Sequence, residues 1–108
     1  MHSTRLLYLT AFSALFSASA AEADDRINSL KKANTDMCIK IGSNVPDAPK
    51  DAKLSAPYCG CVSDNYWASV PKSEQDELLT RGTSPGIQKN MDARMAVAQV
   101  SCKKKIGF

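Results

Sequence analysis

The chain has 108 residues, with 14 basic and 11 acidic side chains and a formal net charge of +3 at pH 7. This surplus is too small to predict binding to nucleic acid. Its single histidine, His2, falls in a predicted signal peptide. The mature chain therefore lacks the base of Ser-His-Asp and Cys-His catalytic pairs and has no histidine metal ligand. We expect neither enzymatic activity nor a cofactor.

The N-terminal segment has the three-part pattern of a cleaved signal peptide. A short start carries one basic residue, Arg5, an apolar run follows, and small residues at Ala18 and Ala20 precede an acidic stretch. An uncleaved anchor is the alternative, but a spanning helix needs about 20 apolar residues, and this run is shorter and contains Ser and Thr. We therefore predict a signal peptide over residues 1–20, a single domain over residues 21–108 without a transmembrane segment, and a periplasmic or secreted location.

The first predicted helix of that domain covers residues 24–41 and is followed by a loop. Apolar residues recur at helical spacing, and Asn34 lies on the same face, where it needs a partner or an edge position. Gly42 is a natural stop. Three prolines among polar residues then predict a proline-rich loop over residues 42–57.

Three further helices are predicted after the loop. The second runs from about Tyr58 to Ser69, before Pro71. The sequence at 73–76 resembles a capping box and opens a short helix that Gly82 closes. Ser84 and Pro85 form an N-cap pattern for the last helix, which runs to about residue 104. The fold class is therefore all-α: a small disulfide-stapled bundle of three longer helices plus one short helix.

The four cysteines lie at Cys38, Cys59, Cys61 and Cys102, and a predicted exported location favours two disulfides. Cys59 and Cys61 point about 200° apart on a helix, so each should bond a different neighbour. The pairing 38–59 with 61–102 is favoured, and 38–61 with 59–102 stays open. A four-thiolate zinc site and a redox-active pair are weaker alternatives, because Cys-x-Cys is not the usual spacing for either.

Aromatic residues and loop prolines are the candidates for contact with a partner. Tyr66 continues the apolar face of the second helix, so Trp67, about 100° away, is expected at its edge, where an exposed tryptophan often anchors a partner. A core or boundary position that covers the short helix is the competing interpretation of Trp67. Met37, Met91 and Met95 are interpreted as core filler rather than as copper ligands. The partner-binding candidates are Trp67, Tyr58, Pro46 and Pro49.

The most favoured function is therefore that of a small exported, non-enzymatic binding protein, such as an inhibitor, an immunity protein or an assembly factor. A structural or stress-protective envelope protein without a dedicated partner is the second hypothesis, and a small metal or redox protein is the third. Lys103, Lys104 and Lys105 fall at the predicted end of the last helix, where cations favour the helix dipole. Contact of this lysine run with a membrane stays open, as does the oligomeric state.

Overall fold

The protein is all-α, as the sequence predicts. The computed structural model describes the backbone of residues 2–44 and 47–108, with side chains from residue 22 onward in those ranges except that of Ser43. Within these residues there are four α-helices and no strand. They are α1 (His2–Ile41), α2 (Ala52–Ser69), α3 (Lys72–Arg81) and α4 (Pro85–Ile106), with a 3₁₀ turn at Gly42–Asn44.

Helix α1 is longer than the predicted first helix because it also includes residues of the predicted signal peptide. Its 40 residues correspond to about 60 Å of helix, which accounts for most of the 67 Å length of the molecule. Cleavage of the signal peptide stays a prediction. Among the residues that the structure describes, no helix combines the length and the apolar character needed to cross a membrane.

The predicted proline-rich loop is too long, because α2 begins at residue 52 rather than near Tyr58. The Asp51 side chain caps the helix by accepting a hydrogen bond from the Lys53 N–H at 2.9 Å. Pro57 then lies inside α2. A proline there removes only the bond to the carbonyl of Lys53, and the helix accommodates it near its start. The short loop therefore ends at Asp51.

The ends of α3 and α4 follow the expected signals with one exception. The predicted capping box at residues 73–76 is wrong: Pro71 occupies the N-cap position and no side chain caps α3. Gly82 ends α3 in the left-handed conformation with φ 75°. Ser84 caps α4 by accepting a hydrogen bond from the Ile87 N–H at 3.3 Å, and Pro85 is the first helical residue, so both signals are confirmed.

Helix α2 is the centre of the fold, with α1 and α4 on its two flanks. The Cys38–Cys59 disulfide joins α1 to α2, and Cys61–Cys102 joins α2 to α4, with Cα atoms 5.7 and 5.8 Å apart. The favoured pairing is confirmed. Since Cys59 and Cys61 project in opposite directions from α2, each reaches a different flanking helix.

The core is small and α2 supplies most of it. On the α1 side, the buried Ser63 hydroxyl donates a hydrogen bond of 2.9 Å to the Lys31 carbonyl, which fixes the two helices against each other. Partly buried side chains, including Ile27 and Leu78, pack around the buried cluster. The buried apolar residues are Tyr58, Cys59, Val62, Tyr66, Trp67, Val70, Ile87, Ala98 and Cys102.

Candidate binding groove

An apolar groove lies between α1 and α4, and α2 forms its floor. The two walls pack against α2 but have no extensive contact with each other, which leaves a groove of about 510 Å³. It is partly open to solvent and is lined by apolar side chains with a few amides and hydroxyls. Its apolar lining includes Leu30, Met37 and Ile41 of α1, Val62, Tyr66 and Trp67 of α2, and Met91 and Met95 of α4.

The groove walls carry exposed methionines. Met37 is 59% exposed and Met91 is 44% exposed, whereas Met95 is half-buried. The interpretation of all three as core filler is therefore wrong for Met37 and Met91. Helical periodicity identifies an apolar face, but α1 and α4 both use α2 as their neighbour, so part of each face remains uncovered. Asn34 lies at the groove edge, as expected.

Trp67 belongs to the groove floor and not to the outer edge of α2. It is only 7% exposed, and its ring meets that of Tyr66 edge to face, with the centroids 5.5 Å apart. The position of Trp67 at the edge of the apolar face, expected from its 100° offset from Tyr66, is therefore wrong. Helices pack on both flanks of α2, so both side chains are buried.

Two buried polar atoms of the floor lack partners. Within the described part of the chain, the Tyr58 hydroxyl and the Trp67 indole N–H have no hydrogen-bond partner. Burial raises the pKa of Tyr58, and the nearby Asp47 carboxylate raises it further. Unpaired buried polar groups cost about 1–3 kcal/mol each, so native structures retain few of them.

One of the two loop prolines among the candidates is turned into the protein. Pro49 is buried, and the adjacent Ala48 packs against the core. Pro46 lies outside the described residues. The structure therefore brings two of the four candidates, Tyr58 and Trp67, together on the groove floor, and it directs Pro49 inward.

An ion pair that sequence reasoning missed joins α3 to α4. Arg94 donates to both carboxylate oxygens of Glu74, at 2.8 and 3.1 Å, and both side chains are half-buried. The hydrogen bonds from Arg94 lower the pKa of Glu74, and the same contact raises the pKa of Arg94. Gly86 leaves space for this pair, since a Cβ there would lie 2.7 Å from the Glu74 side chain. Twenty residues separate the partners, and no local pattern indicates the contact.

The described residues offer no assembled metal or thiolate site. The two disulfides occupy the sulfur atoms of all four cysteines, so no thiolate is left for the zinc alternative. In the described ranges, no three His, Cys, Asp or Glu side chains converge in a metal-binding arrangement. The chain matches no protein-family model, no curated protein and no solved structure.

Proposed function

We propose that this chain is an exported, non-enzymatic binding protein that holds an amphipathic helix of a protein partner in the groove between α1 and α4. The observation that carries the proposal is the open, methionine-bearing apolar groove itself. The predicted signal peptide over residues 1–20 and the two disulfides support export.

The dimensions of the groove favour a helix as its occupant. Its walls extend from Leu30 to Ile41 on α1 and from Ile87 to Gln99 on α4. At 1.5 Å per residue, each wall is about 17 Å long and would accompany about three helical turns. A partner helix laid over α2 would contact both walls and form a four-helix arrangement with α1, α2 and α4. Apolar anchors at positions i, i+3, i+4 and i+7 of the partner would face the floor.

The side chains of the walls suit an adaptable contact. Met37, Met91 and Met95 are unbranched and polarisable, and methionine is enriched on surfaces that accept helices of varied sequence. The polar residues of the lining include amides and a hydroxyl, at Asn34, Gln99 and Ser63, which orient a ligand but supply no general base.

The alternative of a structural envelope protein without a partner accounts less well for the groove. Such a protein gains nothing from Met37 at 59% exposure and Met91 at 44% exposure in one continuous apolar depression. Contiguous exposed apolar surface on a small protein usually marks an interaction site. The groove therefore favours the binding hypothesis.

The test uses defined peptides and two matched variants. One peptide has an apolar face at i, i+3, i+4 and i+7, and the other has the same composition without that face. Trp67 is the only tryptophan and lies in the floor, so its fluorescence reports binding of tryptophan-free peptides. Met91→Glu charges the groove wall, whereas Val97→Glu charges an exposed position on another face of α4.

We expect saturable binding of the amphipathic peptide alone. Burial of Met91 against the peptide contributes about 1.5–3 kcal/mol, so Met91→Glu should weaken binding by about 10- to 100-fold. Val97→Glu should leave the affinity for the peptide unchanged. Equal binding of both peptides, or equal loss in both variants, would contradict the proposal, as would preferential filling of the groove by a fatty acid. A photo-crosslinker at Met37, with Val97 as background, then identifies the partner.

A further inference from the structure

The side of α4 that faces away from the groove carries a second exposed apolar band, one edge of which borders a depression toward α2. Val97 is 71% exposed and Val100 is 60% exposed, more than any of the large apolar residues that form the groove walls. Ala93 and Ala96 beside them are exposed as well. Val97 lies about 200° around the helix axis from Met95, so this face and the groove are on opposite sides of the same helix.

Lysines bound this face at both ends. Lys89, Ala93, Val97, Val100 and Lys104 follow one another at intervals of four, four, three and four residues, which places them along one side of α4. The band is about 22 Å long.

The positive charge of this face is uncompensated. Lys89 and Lys104, which lie on this side, are exposed, and within the described residues neither forms an ion pair. Lys103 and Lys105 adjoin Lys104 but point about 60° and about 140° away from Val100. Asp92 is the only acidic residue of α4. The remaining cation of the helix, Arg94, is already held by Glu74. The outer side of α4 therefore combines a narrow apolar band with an excess of basic side chains.

We propose that this face of α4 docks on an anionic lipid surface, with the helix lying parallel to the membrane plane. The two valines would enter the headgroup boundary, and the lysines at both ends would extend their stems along the apolar surface while their ammonium groups meet lipid phosphates. Each exposed lysine near an anionic surface contributes to such binding, and the contribution declines as salt screens it.

The composition of the face favours a membrane over a protein partner. Stable protein interfaces bury about 800 Å² on each partner and centre on aromatic or arginine anchors. This band offers two valines and two alanines, and its only arginine neighbour is engaged in the Glu74 ion pair. A shallow apolar strip with terminal lysines instead fits reversible, electrostatically assisted adsorption. Docked in this way, the protein would direct the groove away from the membrane.

The test measures partition of the protein, purified from its native compartment with intact disulfides, into vesicles. One set contains phosphatidylcholine with about one third phosphatidylglycerol, and the other contains phosphatidylcholine alone. The test variant is Lys89→Gln with Lys104→Gln, which removes the two lysines that bound the band. Its charge-matched control is Lys50→Gln with Lys53→Gln, which removes two exposed lysines, one before α2 and one in its first turn, that form no ion pair within the described residues. Circular dichroism confirms that each variant is folded.

We expect binding to the anionic vesicles only, weakening as salt rises. Each lysine lost from the face lowers partition about fivefold, so the test variant falls about 25-fold and the control changes far less. Val97→Ser with Val100→Ser also lowers partition, whereas the groove variant Met91→Ser leaves it unchanged. The proposal would be overturned by equal binding to both vesicle types, by no binding, or by an equal fall in partition of the test and control variants. Saturable binding to an acidic protein, with no binding to vesicles, would also overturn it.

Discussion

Removal of either disulfide tests how the three long helices are held together. One variant, Cys38→Ala with Cys59→Ala, removes the covalent bond between α1 and α2. The other, Cys61→Ala with Cys102→Ala, removes the covalent bond between α2 and α4. Each pair includes one buried cysteine, Cys59 at 2% or Cys102 at 0% exposure. The packing loss is therefore comparable in both variants, and the difference between them comes from the size of the closed loop.

The expected magnitudes follow from the sequence separations of 21 and 41 residues. Loop-closure entropy gives about 3.4 kcal/mol for the shorter loop and about 4 kcal/mol for the longer one. The whole free energy of unfolding of a small domain is about 5–15 kcal/mol. Either bond thus contributes a large share of the stability, and loss of both should leave the chain unable to fold.

Urea unfolding followed by far-UV circular dichroism measures these losses. With a slope of about 1–3 kcal/mol per molar urea, the midpoint of either variant should fall by about 2 M, slightly more for the 61–102 pair. The m-value should be similar in the two variants. A loss below about 1 kcal/mol for either pair would refute the loop-closure reasoning and show that packing on α2 alone holds the flanking helices.

Two further predictions concern residues of the core and its edge. Trp67→Ala should lower the free energy of unfolding by about 3–5 kcal/mol, because it empties a site that is only 7% exposed; a loss below about 1 kcal/mol in chemical unfolding would contradict its place in the floor. Arg94 lowers the pKa of Glu74, so this pair stabilises the fold fully above the usual pKa of 4.5, and the stabilisation is lost as the pH falls through the lowered folded value. Thermal unfolding of Glu74→Gln should therefore depend less on acid pH than that of the unchanged protein, and equal slopes would exclude a role for the pair.

Much of the fold follows from local signals in the sequence. The start of α4 is marked by the Ser84 cap and Pro85, and the end of α3 by the left-handed backbone of Gly82. These signals depend only on neighbouring residues. The disulfide pairing follows from the opposite directions of Cys59 and Cys61 on one helix. In contrast, Pro57 leads to a predicted start of α2 that is too late in the chain. A proline near a helix start costs one hydrogen bond, and the Asp51 cap and the packing of α2 outweigh that loss.

The groove could not be predicted because periodicity does not identify what covers an apolar face. Ile87, Met91, Met95 and Ala98 form one stripe in the sequence. In the structure Ile87 and Ala98 are buried, while Met91 is 44% exposed. The difference arises because α2 is too narrow to cover the whole stripes of both flanking helices. That is a property of the helix arrangement, and no local pattern contains it.

The position of α4 connects the fold to both proposals. One side of the helix contributes Met91 and Met95 to the groove, and the side about 200° away presents Val97 and the lysines. The Cys61–Cys102 bond holds α4 near its C-terminal end, and the Glu74–Arg94 pair holds it near its middle. Rotation of α4 about its axis would therefore be resisted at two points along the helix. A helix fixed in this way can keep an apolar groove open on one side while its other side rests on a charged surface.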